Sequence, residues 1–117
     1  MKILLINVCL RDDVDKILFP VGLGYIASAI SRSRHELEII DMDAHRMSYE
    51  QLEEKMCHLD FDVVGLGCIV TGYKIVKTIS EIVKKVNKDA LIIAGNSVAS
   101  SIPEILLANT DVDIAVI

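Results

Sequence analysis

Continuous apolar runs alternate along this chain with stretches whose apolar positions recur every three or four residues. Ile3 to Val8 reads as a buried strand. Phe19, Leu23, Ile26, Ala27 and Ile30 then fall at helical spacing, and that helix is expected to end near Arg32 to Arg34. Glu36-Leu37-Glu38-Ile39-Ile40 alternates polar with apolar, the pattern of a half-buried strand. Ser48, with Gln51 three residues on, matches a capping box and opens a short helix to about His58. Asp62 to Cys68 is a second continuous strand. Ile75, Ile79, Ile82, Val83 and Val86 mark the dry face of a longer helix, with Lys77, Glu81, Lys84 and Lys85 on its wet side. Ala90 to Ala94 reads as a strand. A helix follows, with Ser101 as its cap and Pro103 as an early residue, and Asp113 to Ile117 begins a last strand.

Strands that alternate with helices predict an open parallel sheet with helices on both faces. The second strand alternates as an edge strand does, while the first, third and fourth are continuously apolar. That contrast predicts a flavodoxin-like, three-layer α/β fold with five parallel strands in the order 2-1-3-4-5. In such a fold a ligand sits beyond the carboxyl ends of the first, third and fourth strands. Three loops leave those ends: Asn7 to Leu18, Cys68 to Gly72, and Gly95 to Ala99. The sequence carries no repeat, linker or low-complexity segment. Residues 1–117 read as one domain, and a chain that stops at a strand end is expected to be a piece of a longer protein.

Composition narrows the class. Apolar residues make up 52% of the chain, aromatics only 4%, and Trp is absent, so the core is built from Ile, Leu, Val and Ala. Seventeen acidic against twelve basic residues give a net charge of -5, which argues against a nucleic-acid partner. No apolar run reaches membrane-spanning length, and Met1-Lys2-Ile3 enters a strand without a signal-peptide pattern, so a cytoplasmic location is expected. Cys9, Cys57 and Cys68 are an odd count without metal-type spacing and read as reduced thiols.

The segment Phe19-Pro20-Val21-Gly22-Leu23-Gly24-Tyr25-Ile26-Ala27 carries the strongest local signal. Gly22 and Gly24 open a helix beside a strand end, where missing side chains let a ligand approach the backbone. Gly22 to Ala27 also matches the dinucleotide pattern G-x-G-x-x-A, with Asp41 and Asp43 near the place of a ribose-binding acid. That fingerprint needs its first glycine at a tight turn directly after the strand, whereas Pro20 and a long loop intervene here. The long loop leaves room for something larger than a phosphate. Asp43-x-His45-x-x-Ser48 offers a carboxylate–histidine pair but no further metal ligand, and reads better as a polar loop after an edge strand with Ser48 as a helix cap. His35 and His58 read as surface residues. Asp12 and Asp13 suggest a receiver-type acidic pair, but Gly67-Cys68-Ile69 stands where the phosphoacceptor Asp belongs. Cys68 has no activating His or Lys near it in sequence and reads as a small buried thiol. Gly65, Gly67 and Gly95 sit at neighbouring strand ends, where they either open a groove between sheet and helices or permit tight packing.

Taken in order, these segments resemble the N-terminal cobalamin-binding domain of B12-dependent radical SAM proteins. The resemblance is carried by Lys2-Ile3-Leu4-Leu5-Ile6-Asn7, by Phe19 to Ala27, by His35 to Asp41 and by Asp62-Val63-Val64-Gly65-Leu66. It continues through Ala90-Leu91-Ile92-Ile93-Ala94-Gly95, Pro103-Glu104 and Asp111-Val112-Asp113, and so covers essentially the whole chain. The resemblance implies cobalamin across the strand carboxyl ends, with the corrin near Cys9, Leu10 and Arg11. It places the nucleotide tail in a groove past Gly67, Cys68, Ile69, Val70 and Thr71, and past Gly95, Asn96 and Ser97. The cobalt-ligating D-x-H-x-x-G motif of methyltransferase B12 domains is absent, because Asn7-Val8-Cys9-Leu10-Arg11-Asp12 occupies its place. Base-off cobalamin without a protein histidine is therefore implied. Where relatives often carry two glycines after the fourth strand, this chain has Gly95-Asn96. It also has no C-x-x-x-C-x-x-C motif, so a 4Fe-4S cluster and S-adenosylmethionine would belong to a radical SAM domain elsewhere in the parent chain. The fragment is then no enzyme by itself. A degenerate domain with a structural or oligomerising role, including a homo-oligomer of the fragment, and a dinucleotide-binding domain are the alternatives. The apolar loop residues Leu10, Ile17, Leu18, Ile69 and Val70 are expected to form a partner surface.

Overall fold

A computed structural model of the chain describes residues 1–17 and 19–117; Leu18, expected in the apolar loop surface, lies outside the described residues. The strands are β1 (Lys2–Asn7), β2 (Glu36–Asp41), β3 (Val63–Gly67), β4 (Leu91–Gly95) and β5 (Ile114–Ala115). They form a single parallel sheet in the order β2-β1-β3-β4-β5, as the strand patterns predict. The helices are α1 (Val21–Ser31), α2 (Tyr49–Cys57), α3 (Tyr73–Val86), α4 (Asn96–Ser101) and α5 (Pro103–Asn109), with one 3-10 turn at Val70–Gly72. None among the described residues is long and apolar enough to cross a membrane.

The two faces of the sheet are covered unequally. The crossover from β1 to β2 runs one way along the sheet and the later crossovers run the other way. With right-handed connections, α1 therefore lies on the face opposite the remaining helices. The core sits on the many-helix face. Leu4 and Ile6 of β1, Val64 and Leu66 of β3, and Ile92 and Ala94 of β4 meet Leu52 and Met56, Val76, Ile79 and Val83, and Leu106 there. Across the sheet α1 is made largely of apolar residues, yet none of them is buried. That imbalance positions the site.

Local chemistry explains the start of α2 and the break between α4 and α5. Ser48 and Gln51 form the expected capping box of α2, each side chain bonding the other's backbone N–H. β2 is an edge strand, as its alternation predicts. Three expectations need correction. The segment after β4 is no loop, since α4 starts at Asn96, directly after Gly95. The single helix expected there is two. Pro103 disfavours a helical residue before it, Ile102 turns out at φ -135° and ψ 48°, and Ile102 rather than Ser101 takes the cap position of α5. Lys84 is not simply solvated. Its ammonium donates to the Ala90 carbonyl at 2.7 Å and pairs with Asp113 at 2.9 Å.

The same Asp113 carboxylate accepts the Ile92 N–H at 2.8 Å and so ties the entry of the short β5 to β4. Burial alone would push this carboxyl up, but Lys84 and the Ile92 N–H outweigh it and hold Asp113 below its ordinary range. A depressed carboxyl stabilises the fold above its unfolded value of about 4, and that contribution disappears as pH falls through the folded value. Asp113→Asn is expected to cost about 1 kcal/mol at neutral pH, a figure already reduced for partial exposure. The Tm gap between wild type and variant, followed from about pH 6 down to about pH 3, should narrow in acid; a gap independent of pH would mean that the carboxylate charge plays no part.

Candidate binding site at the carboxyl edge of the sheet

Two cavities meet at the carboxyl ends of the strands. The larger, about 850 Å³, lies between α1 and the sparsely covered face of the sheet. Leu23, Ile26 and Ile30 of α1 form one wall, and Leu5, Val63 and Ile93 of the sheet form the other. The smaller, about 550 Å³, lies beyond the strand ends, between the β1–α1 loop residues Leu10, Arg11, Val14 and Lys16 and the post-β3 residues Cys68 and Ile69. Asn7, Pro20, Gly67 and Asn96 line both, so the mouth and the groove are continuous.

Glycines keep this space open, but not all in the same way. A Cβ on Gly95 or Gly22 would meet nothing within 4 Å. One on Gly65 would meet only the tip of the Leu5 side chain, at 2.7 Å. A Cβ on Gly67 would stand 3.0 Å from the Gly95 carbonyl oxygen, which is backbone and cannot move aside. Gly67 thus serves close strand packing as well as lining the cavity, whereas Gly95 and Gly22 leave room. Gly24 faces the Phe19 ring, 3.4 Å from where its Cβ would be, and lines neither cavity.

Asn96 has φ 67°, in the left-handed region that Asn tolerates better than other side chains. The Gly95-Asn96 pair therefore delivers the backbone shape that a second glycine would give. The Asn96 Oδ1 accepts the Ser97 N–H at 2.7 Å. The Ser97 hydroxyl accepts the Val70 N–H at 3.1 Å, and the Val98 N–H donates to the Cys68 carbonyl at 3.0 Å. The segments after β3 and β4 are thereby locked to one another. Ser97 and Val70 belong to this lock, and neither they nor Thr71 lines either cavity.

On the other side, the Asn7 amide donates to Asp41 Oδ1 at 2.9 Å, and the same oxygen accepts the Ala44 N–H at 3.0 Å. Asp43 pairs with Arg46 at 3.0 Å. The two acids placed near a ribose by the dinucleotide reading are both occupied within the fold. Pro20 takes the cap position of α1, so Gly22 lies inside its first turn rather than at a tight turn after β1. The dinucleotide fingerprint fails on both counts.

Arg46 escapes the sequence reading. It sits after β2 with φ 46°, and its guanidinium reaches across to the β1–α1 loop. It donates to the Arg11 carbonyl at 2.9 Å, to the Lys16 carbonyl at 3.4 Å, to the Val14 carbonyl, and to Cys9 Sγ at 3.3 Å. Cys9 points at Arg46 and lines neither cavity. Burial pushes the Cys9 thiol up, against the opposing effect of Arg46, and burial also pushes up Cys68, which lies in the core. Both are neutral thiols at pH 7, which removes Cys68 as a nucleophile. No sequence signal marks Arg46, because a left-handed turn is announced by Gly, Asn or Asp and not by Arg.

Of the sequence-predicted residues, Leu10, Arg11, Gly22, Gly67, Cys68, Ile69, Gly95 and Asn96 are brought together on the joined cavities. No His lines either of them among the described residues. His35 lies 3.1 Å from the amino terminus, and His45 and His58 are exposed. No group of three or more His, Cys, Asp or Glu is placed to hold a metal ion among the described residues.

The fold has relatives. The solved structure of the cobalamin-dependent S-adenosylmethionine radical enzyme OxsB, with aqua-cobalamin and S-adenosylmethionine bound, matches with a TM-score of 0.76 at 20% identity over 92% of this chain and 15% of that one. The radical S-adenosylmethionine methyltransferase TsrM from Kitasatospora setae, with tryptophan substrate and a SAM analog, matches with a TM-score of 0.74 at 17% identity over 92% of this chain and 21% of that one. An uncharacterized methyltransferase from Pyrococcus horikoshii is 25% identical over 111 residues, 92% of this chain and 24% of the relative. The chain thus spans about a quarter or less of the length of each. The family model for the B12 binding domain matches residues 8–117. The chain belongs to the B12-binding domain family.

Proposed function

We propose that this chain is the cobalamin-holding module of a larger radical SAM protein. The observation that carries this reading is the continuity of the two cavities through Asn7, Pro20, Gly67 and Asn96. A wide mouth joined to a long apolar groove suits a ligand with a broad head and an aromatic tail. The residues fit such a tail, since Gly22 and Gly95 leave space where a side chain would fill it and the walls are aliphatic. The groove between α1 and the sheet would hold the tail, and Leu10, Arg11 and Ile69 at the mouth would hold the corrin. Cys9, through Arg46, and Ser97, through the Val70 N–H, brace the loops beside the mouth. When bound, cobalamin supplies a cobalt centre that carries one-carbon groups. The chain's own part is to bind, to orient and to shield. Among the described residues no His lines either cavity, so no imidazole is placed to ligate cobalt and the cofactor would be held base-off.

A radical SAM domain in the same parent chain supplies the 4Fe-4S cluster and S-adenosylmethionine. Leu10, Ile17, Phe19, Ile69 and Val70 are exposed around the mouth, Phe19 at 77%, and form the apolar rim that this domain would cover. In the isolated chain the same rim is free to self-associate.

Two experiments test the reading. The first compares glycines by titration with hydroxocobalamin, followed in the visible. Gly95→Leu adds bulk to open space, so its Tm should stay within a few degrees of wild type while affinity falls at least about tenfold. Gly67→Ala should instead lose about 1–3 kcal/mol of stability with or without ligand, because its Cβ meets backbone. Full-affinity binding by a folded Gly95→Leu chain would rule the groove out as the tail site. The second is an electron paramagnetic resonance spectrum of the reduced, cobalamin-loaded chain. No nitrogen splitting from cobalt is expected in wild type or in His35→Ala, His45→Ala and His58→Ala. A splitting that vanished in His45→Ala alone would make His45 the ligand.

A further inference from the structure

The β1–α1 loop has no regular structure of its own, yet it supplies one side of the mouth. Arg11, Val14 and Lys16 all line that cavity, and the carbonyls of all three converge on one guanidinium, that of Arg46. Arg46 itself lines neither cavity. The same terminal nitrogen that reaches the Arg11 carbonyl also pairs with Asp43 at 3.0 Å, and the pair is mostly buried, with side-chain exposures of 29% and 19%. We propose that Arg46 is a positioning residue that fixes the β1–α1 loop in its cavity-forming shape before any cofactor arrives.

Three carbonyls spread over six residues can be gathered at one point only by a donor with several N–H groups in a rigid plane. Arg has that fork; the Lys ammonium is a compact charge on a flexible stem and cannot reproduce it. Arg46 also keeps a left-handed backbone that non-glycine residues avoid, and such strain persists only where surrounding contacts over-determine it. A loop already ordered does not have to be ordered by the ligand, so the affinity for a ligand in the mouth rises. The ligand part of this inference rests on the cobalamin reading. The loop part does not.

The test therefore uses the ligand-free chain first. Arg11 and Lys16 are trypsin sites inside the loop, and a protease needs a mobile segment to cut. Cleavage after Arg11 and Lys16 should be at least tenfold faster in Arg46→Ala than in wild type, while cleavage after Lys84 in α3 keeps its wild-type rate. Arg46→Lys should leave the loop equally open to cleavage, and Asp43→Asn should fall between. Titration with hydroxocobalamin should then show affinity lowered at least tenfold in Arg46→Ala and Arg46→Lys. Loop cleavage as slow in folded Arg46→Ala as in wild type would overturn the proposal. Fast loop cleavage with wild-type affinity would overturn its link to the cofactor site. Should Arg46→Ala not fold, the Arg46→Lys comparison decides by the same criteria. A wild-type chain that binds no hydroxocobalamin would sink the cofactor reading, and the cleavage comparison alone would then decide whether Arg46 holds the loop.

Discussion

The unequal covering of the two sheet faces is the constraint from which the site follows. One face buries Leu4, Ile6, Val64, Leu66, Ile92 and Ala94 under α2, α3 and α5, and this closed layer supplies the stability of the fold. The other face has α1, which buries none of its residues completely. Glycine at Gly65 leaves the middle of that face without a side chain to meet the helix, so α1 and the sheet enclose space rather than each other. Apolar walls around unfilled space forgo part of the stabilisation that contact would bring. A fold tolerates that only because its other face is already well packed.

Hydrogen bonds at the carboxyl edge convert this open layer into a shaped one. The Ser97–Val70 and Val98–Cys68 bonds make the segments after β3 and β4 a single unit. Gly72 has to be small there, because a side chain would run into buried Cys68 and Leu10. On the opposite side Asn7 and Asp41 fasten the end of β1 to the turn after β2, where Asp43 pairs with Arg46 and Arg46 reaches the long loop. The mouth is thus framed by two braced blocks with strand ends between them. Polar groups that a sequence reading would assign to ligands are largely occupied in this bracing.

What the sequence made legible is what short-range periodicity encodes. The alternation in Glu36 to Ile40 marks an edge strand because only one side of such a strand is dry, and β2 is at the edge. The Ser48–Gln51 box is local and is formed as read. Features set by partners distant in sequence were not legible. Lys84 falls on the wet stripe of α3, yet Asp113, 29 residues on, and the Ala90 carbonyl take it inward. Arg46 meets Val14, 32 residues before it, and no local pattern predicts that meeting. The glycine cluster was ambiguous for the same reason. Whether a missing Cβ leaves room or avoids a clash depends on the neighbouring strand, and Gly95 and Gly67 give opposite answers from adjacent positions in the ladder.

These two answers bear on which reading of the family membership is physically economical. A domain kept only as scaffold gains nothing from an aliphatic groove of about 850 Å³, since filling it with side chains would add packing at no functional loss. Gly95 could carry a side chain without meeting any atom within 4 Å, and Gly22 likewise, so packing does not demand glycine at either place. Gly22, in the first turn of α1, also gives up the helix-favouring backbone that Ala would supply. Those costs become intelligible if a ligand completes the layer between α1 and the sheet. In that case the cofactor tail takes the place of missing core, and binding adds to fold stability by mass action as well as delivering the corrin to the mouth. Holding the tail inside one domain leaves the opposite side of the corrin free for a second domain, which is the arrangement that the exposed apolar rim of Leu10, Phe19 and Ile69 would serve.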